Sequence, residues 1–364
     1  MLKFKPYVRV LLNEEESKVI MSRPLKDGDV GDIFELTPIG VKIIKSLHIA
    51  ISKEELISRL EIKSQEQIDE LNEILELLLC ENYIGIESDN NNEEYQAIES
   101  VYGRITPLWG EVETQSLNRF QIQQSMMTKK IGIIGCGTIG MGIISKLVTV
   151  GVKKFVLVDD DLVSRTNLTR QSSFLLKDIG NPKVEVANQF IIDRIENPTV
   201  DFHSKKIKNL EDLKVFNDVD IIVVASDEPR IDKLVQEYGK ISGITLSFSG
   251  GYTGSTGKIF PIVIHGKTHD YNCVHDYLHN VKGKETKGYK DLNINFTMSS
   301  ITSVADFIVS VSSFEILKYL TGVIDPYLIN KVLFFNFANY KVDELIMEDV
   351  ECSCMNSLET TIFN

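Results

Sequence analysis

Lys130-Ile131-Gly132-Ile133-Ile134-Gly135-Cys136-Gly137-Thr138-Ile139-Gly140 decides the fold of this chain. Lys130–Ile134 has the apolar, β-branched character of a buried strand. It runs straight into Gly-x-Gly-x-x-Gly, and a helical pattern continues through Ile144, Leu147 and Val148. Strand, glycine loop and helix in that order make a phosphate cradle, because the glycines permit a tight turn and close backbone approach while the helix offers free N–H groups and its positive dipole end. The next strand pattern, Phe155-Val156-Leu157-Val158, ends at Asp159, nineteen residues beyond Gly140. An acid at that distance is placed to accept from ribose hydroxyls. Gly135, Gly137, Gly140 and Asp159 are therefore the expected nucleotide-binding residues. Cys136, inside the loop, reads as a small packing residue rather than a nucleophile.

Working outward from the loop, β-branched strands alternate with amphipathic helices from Lys129 on. That pattern predicts a Rossmann-like α/β domain over 129–364, with a mostly parallel sheet covered on both faces. Upstream, 1–86 opens with strand-like runs (Lys5–Leu12, Lys18–Met21, Asp32–Leu36). Three helices come next, announced by Thr37-Pro38 and by Ser-x-x-Glu/Gln capping boxes at Ser52 and Ser64. A short strand near Tyr83–Ile86 closes a small α+β domain of winged-helix type. Residues 87–100, ESDNNNEEYQAIES, are polar and acidic, so 87–128 reads as a linker and dimer-contact segment.

The 364 residues are 43% apolar and 25% charged, a globular mixture. Thirty-nine Lys and Arg against fifty-two Asp and Glu give a net charge of −13. The N-terminal segment is itself acidic, with eleven basic against sixteen acidic residues. Nucleic-acid binding lacks its electrostatic term, so that segment reads as a protein- or peptide-recognition or oligomerisation module. No apolar run approaches the roughly 18 residues of a membrane span and no signal peptide is evident, which predicts a cytoplasmic protein with no membrane contact. Five cysteines in such a chain suggest thiols or metal ligands rather than a disulfide framework. Cys80, on the apolar third helix, reads as core.

The residues beyond Asp159 separate nucleotide chemistries that share the glycine loop. The string Asn167-Leu168-Thr169-Arg170-Gln171, with Gly180-Asn181-Pro182-Lys183 a dozen residues later, resembles the E1-like ATP-dependent activating enzymes (the ThiF, MoeB and HesA adenylyltransferases and ubiquitin-activating domains). Within that group it is most similar to the MccB-type peptide adenylyltransferases of microcin C biosynthesis. The resemblance covers about 130–355 and implies ATP as substrate. Asn167 and Gln171 would then line the nucleotide site, Arg170 and Lys183 contact phosphates, and Asp159 hold the ribose. Asp227, at the end of the strand Asp220–Ser226, matches the family's Mg²⁺ aspartate; helix capping is its bland alternative. Arg104 stands about where relatives carry an arginine that reaches the partner subunit's ATP, which implies a homodimer completed in trans. Phe248–Tyr252 and Phe260-Pro261 resemble the strands beneath the acceptor carboxylate, and Gly283–Thr297 a crossover loop over the substrate.

Relatives commonly bind structural zinc through two Cys-x-x-Cys pairs, and this chain departs from that. Cys273, Cys352 and Cys354, with Asp270, His269 or His275 as a fourth ligand, remain a candidate zinc set; the alternative is that the metal has been lost. The implied reaction is adenylation of the C-terminal carboxylate of a ribosomally made peptide bound by the N-terminal domain, as in bacteriocin biosynthesis. Two other readings stay open: a non-catalytic ThiF-like protein that hands a leader peptide to a cyclodehydratase, and an adenylyltransferase for a ubiquitin-like sulfur carrier. A nicotinamide oxidoreductase would leave Arg170 and Lys183 without a role.

Overall fold

The computed structural model describes residues 1–23, 31–86, 92–114, 116–286 and 300–347. The chain forms two compact units, Met1–Gln124 and Ser125–Asn364.

In the first unit, the run expected as one strand from Lys5 is divided. β1 (Leu2–Phe4) stops short, the chain turns with Val8 N–H donating to the Lys5 carbonyl at 3.0 Å, and β2 (Arg9–Asn13) begins beyond it. Pro6 has no N–H to give a ladder, which is why the break falls there. β2, β3 (Lys18–Ser22) and β4 (Asp32–Glu35) make an antiparallel sheet with β3 in the middle. α1 (Pro38–Ser46) is capped by Thr37, and α2 (Lys53–Arg59) and α3 (Gln65–Cys80) start on complete capping boxes at Ser52 and Ser64. β5 (Ile84–Ile86) returns to pair with β1. Val19, Met21, Ile43, Leu56, Leu71 and Tyr83 form the core.

Cys80 is exposed rather than core. The buried stripe of α3 is Leu71, Leu75 and Leu78. At about 100° per residue, Cys80 stands some 200° around the helix from Leu78.

The segment expected as a linker carries three helices: α4 (Glu93–Tyr102), α5 (Thr106–Gly110) and α6 (Arg119–Thr128). Its residues as far as Gln124 belong to the first unit. A half-buried polar network ties them in. Lys5 Nζ donates to Asn82 Oδ1 and pairs with Glu113, Tyr7 O–H donates to Glu113 Oε1 at 3.1 Å, and Asn82 Nδ2 donates to the Gly110 carbonyl at 3.1 Å. The single tryptophan, Trp109, is 1% exposed and satisfies its indole N–H on Gln123 Oε1 at 2.9 Å.

The second unit opens with β6 (Lys130–Ile134), α7 (Thr138–Thr149) and β7 (Lys154–Val158), then two 3₁₀ turns, α8 (Lys183–Ile192) and β8 (Thr199–His203). β9 (Ile221–Val224), α9 (Pro229–Ser242) and β10 (Thr245–Phe248) come next. β11 (Gly251–Thr253), β12 (Thr256–Ile259), β13 (Ile262–Val263), α10 (Tyr271–Thr286), α11 (Thr302–Thr321), β14 (Lys331–Asn336) and β15 (Lys341–Ile346) complete it. The main sheet runs β13-β10-β9-β6-β7-β8, parallel except for β13. Apart from the edge strand β8, its strands are nearly all buried, as a sheet covered on both faces requires. A second antiparallel sheet, β11-β12-β14-β15, packs β12 on α11. No helix among the described residues is long and apolar enough to cross a membrane.

The chain enters this sheet at β6, builds outward through β7 and β8, then crosses back to β9 on the other side. β6 and β9 therefore diverge in their connections at their carboxyl ends, and the crevice left there is where ligands bind in open α/β sheets.

Candidate nucleotide site

A cavity of about 710 Å³ occupies that crevice. Gly135, Gly137, Asp159, Asn167, Arg170, Gln171, Lys183 and Asp227 all line it, although they come from loops spread over some ninety residues of chain. Gly140 lies beneath. Arg104 belongs to the first unit, exposed in the turn after α4. A larger, more open hollow of about 920 Å³ lies along α7 and α8, and none of these residues lines it.

The glycines divide their work. Gly135 has φ +91°, and a Cβ there would sit 2.7 Å from the Ala225 carbonyl oxygen; a Cβ on Gly140 would sit 1.8 Å from the Gly135 oxygen. Those two are glycine because the protein leaves no room. Gly137 is different: a Cβ would meet only Gln171 Nε2, at 3.6 Å. That space is open to a ligand at the N-cap of α7, a helix end with no side-chain cap, as a phosphate cradle needs.

Asp159 is held on both oxygens by backbone donors, Cys136 N–H at 2.6 Å and Asp161 N–H at 2.8 Å. Burial raises its pKa against the pull of those hydrogen bonds. Asn167 Oδ1 accepts from Ser164 N–H at 2.9 Å, closing the 3₁₀ turn Arg165–Thr169 that carries the motif. Gln171 is buried with no partner for its amide oxygen among the described residues, an orphan that bound ligand would satisfy. Arg170 reaches the cavity with one guanidinium nitrogen on the Thr166 carbonyl at 3.0 Å. Lys183 is buried at the start of α8 and meets Asp161 Oδ2 at 2.6 Å.

For a divalent cation two acidic groups compete. The carboxylates of Asp159, Asp160 and Asp161 cluster, but Asp159 is engaged by backbone N–H groups and Asp161 by Lys183. Asp227 is exposed at the carboxyl end of β9, with no ion pair or hydrogen bond on its carboxylate among the described residues. It fits Mg²⁺, which usually takes one or two carboxylates plus phosphate oxygens. Cys136 is fully buried, and burial, then the Asp159 charge, drives its thiol pKa well up. It therefore packs, as expected, and offers no thiolate.

Of the candidate zinc set, Cys273 is disulfide-bonded at the start of α10. Cys352 and Cys354 lie outside the described residues. Asp270, the expected oxygen ligand, is 5% exposed and already committed, accepting from Gln236 Nε2 at 3.0 Å and pairing with Lys240 Nζ at 2.5 Å. The expected crossover loop Gly283–Thr297 falls mostly outside the described residues, and its start belongs to α10.

Sequence reading missed Asp160, Asp161, Lys205, Lys206, Ser226 and Glu228, which also line the cavity. Lys206 Nζ pairs with Glu228 at 3.0 Å, joining the loops after β8 and β9 across the ends of the two strands between them. Their one legible signal was position just beyond a sheet strand. Gly250, Gly251 and Tyr252 also line it.

Behind Asp227, α9 carries Asp232. Burial drives its carboxyl up to about 6, against the Tyr271 hydroxyl and the His275 charge, both of which lower it. A folded-state pKa above the ordinary 3.8 means that folding favours the protonated acid. The stabilisation is complete below that value and is lost as pH rises to about 6, on the order of 3 kcal/mol in all. Urea unfolding between pH 4.5 and 7 should show the wild type losing stability relative to Asp232→Asn; parallel pH curves would remove the assignment.

The ThiF family model matches residues 105–356. The SAMP-activating enzyme E1 of Haloferax volcanii is 31% identical over 124 residues, 34% of this chain and 46% of that protein. The adenylyltransferase and sulfurtransferase UBA4 of Scheffersomyces stipitis is 25% identical over 228 residues, 61% of this chain and 47% of that one. The chain thus spans less than half the length of these curated relatives. Among solved structures, E. coli MccB with AMPCPP and MccA superposes with a TM-score of 0.73 at 21% identity, covering 95% of this chain and 96% of that one. PaaA superposes at 0.74 and 15% identity, covering 94% and 99%. At those identities the likeness is one of fold. The family match takes in most of the chain and contains the glycine loop, the Asn-Leu-x-Arg-Gln turn and the Asp227 strand end, and the chain belongs to the ThiF family.

Proposed function

We propose that this protein is an ATP-dependent adenylyltransferase that activates the C-terminal carboxylate of a ribosomally synthesised peptide and releases pyrophosphate. The observation that carries the reading is the convergence of the glycine loop, Asp159, Asn167, Arg170, Gln171, Lys183 and Asp227 on one cavity. A carboxylate oxygen forms a bond to the α-phosphorus as the bond from that phosphorus to the bridging β-oxygen breaks, and pyrophosphate leaves with the electron pair. Attacker and target are both anionic, so the site must supply fixed positive charge and alignment rather than a covalent nucleophile. Arg170 and Lys183 supply the charge, Asp159 anchors the ribose, and Asn167 and Gln171 orient the nucleotide. Asp227 would hold Mg²⁺ together with phosphate oxygens; the bound ion supplies further charge stabilisation for the leaving group.

A peptide substrate is supported by the likeness to MccB, crystallised with MccA, which extends over both units of the chain. The first unit would hold the peptide. A homodimer is supported by exposed apolar side chains on the very segment that carries the site, Leu162, Leu175, Leu176 and Ile179. Arg104 would serve the partner's nucleotide.

The curated relatives favour a second reading, adenylation of a ubiquitin-like sulfur carrier. ATP–pyrophosphate exchange separates the two. Exchange dependent on short peptides encoded beside the gene supports peptide adenylation, and exchange dependent on a folded Gly-Gly-ended carrier supports the alternative. Exchange with neither, together with retained peptide binding, would make the protein a non-catalytic binding partner.

A further inference from the structure

Lys183 is the phosphate-contacting lysine on the reading above, and its side chain is only 7% exposed. One carboxylate meets its ammonium group, Asp161 at 2.6 Å. The carbonyl of the same aspartate accepts the Lys183 backbone N–H at 3.0 Å, so Asp161 holds the lysine by its main chain and by its head. Asp161 is held in turn. Its N–H donates to Asp159 Oδ1 at 2.8 Å, and Asp159 Oδ2 accepts from Cys136 N–H in the glycine loop at 2.6 Å. A continuous line of hydrogen bonds thus runs from the phosphate cradle through two aspartates to the lysine.

The two partners differ in setting. The Asp161 side chain is 66% exposed while the lysine is buried. A buried ammonium with no counter-charge bears an uncompensated desolvation cost, whereas an exposed carboxylate is solvated by water with no partner at all. Lys183 therefore needs Asp161 more than Asp161 needs Lys183. Resting on the nucleotidyl-transfer reading, we propose that Asp161 is a positioning residue. It keeps the Lys183 ammonium group aimed into the cavity while no nucleotide is bound, then yields it to the incoming phosphates and turns to water.

A double-mutant cycle tests this in the full-length protein, with Asp161→Asn, Lys183→Ala and the pair, each measured by pyrophosphate exchange at pH 7. Asparagine keeps the shape and the backbone hydrogen bonds and removes the charge. Because Asp161 acts on the nucleotide-free site, Asp161→Asn should raise the KM for ATP about tenfold and change kcat less than about threefold. In the Lys183→Ala background Asp161→Asn should change nothing further. Full additivity, or a wild-type KM in Asp161→Asn, overturns the role of Asp161. A Lys183→Ala chain with normal exchange overturns the nucleotide reading itself, which keeps the two failures apart. If the asparagine chain does not fold, Asp161→Glu, which keeps the charge but moves it by one methylene, should raise the KM about threefold; a wild-type KM would overturn the proposal.

Discussion

Replacing Asp227 by alanine is expected to lower peptide-dependent ATP–pyrophosphate exchange by about 10³-fold or more while the protein stays folded and binds peptide as before. The expectation has two physical parts. Asp227 is exposed at the end of β9, and no hydrogen bond or ion pair among the described residues uses its carboxylate. Removing it therefore breaks nothing structural, and the melting temperature should stay within a few degrees, as for most exposed substitutions. In the cavity it shares with Arg170 and Lys183 the space assigned to the triphosphate. It would be a carboxylate set among phosphates with no counter-ion unless a cation bridges them. Asp227→Asn should be nearly as damaging, because it keeps the shape and loses the charge. Excess Mg²⁺ should partly rescue asparagine and leave alanine dead. Normal exchange in the alanine chain would return Asp227 to a bland role as a helix-flanking acid, and the metal carboxylate would have to be sought in Asp159–Asp161.

Why the sequence reading reached Asp227 and not Asp161 is a matter of what each kind of signal encodes. Strand–glycine–helix periodicity and capping boxes are local, and local chemistry is legible: Ser52 and Ser64 cap as expected, and β6, β7 and β9 form where β-branched runs stand. The motif residues could be paired with roles because their string resembles that of the family the chain belongs to. Asp161 and Lys183, by contrast, lie 22 positions apart, and only the fold brings them together. The same limit explains Asp270, which looks like a degenerate metal ligand in its Asp-x-x-Cys setting. It is instead the buried counter-charge of Lys240 on α9, a contact that no periodicity announces. The helices of 92–128 were hidden for another reason. α4 buries only Ile98 and is started by Asn92 accepting from Glu94 and Tyr95 N–H groups. Its acidic composition therefore outweighs a faint apolar stripe.

The glycine loop gives the sharpest separation of folding from function, because two of its glycines should fail in opposite ways. Gly140→Ala puts a methyl carbon 1.8 Å from the Gly135 carbonyl oxygen. Neither partner is a flexible side-chain tip; both are backbone, in a loop whose Gly135 is already committed to φ +91° and to contact with Ala225. The overlap can be relieved only by moving α7 off β6, so a cost of about 4 kcal/mol or more is expected, at the diagnostic end for a point change. Urea unfolding should register it directly, with the buried Trp109 of the first unit reporting separately from the second unit's own transition. Gly137→Ala meets only Gln171 Nε2 at 3.6 Å, an ordinary contact, and the unfolding curve should overlay the wild type. Its methyl group, however, projects into the cradle where α7 presents uncapped N–H groups, and it should weaken MgATP binding by about 100-fold or more in calorimetry. If Gly137→Ala bound nucleotide normally, the phosphates could not lie on the α7 N-terminus. If it unfolded like Gly140→Ala, Gln171 would have to close over that position in solution, and the loop's glycines would all be there for packing.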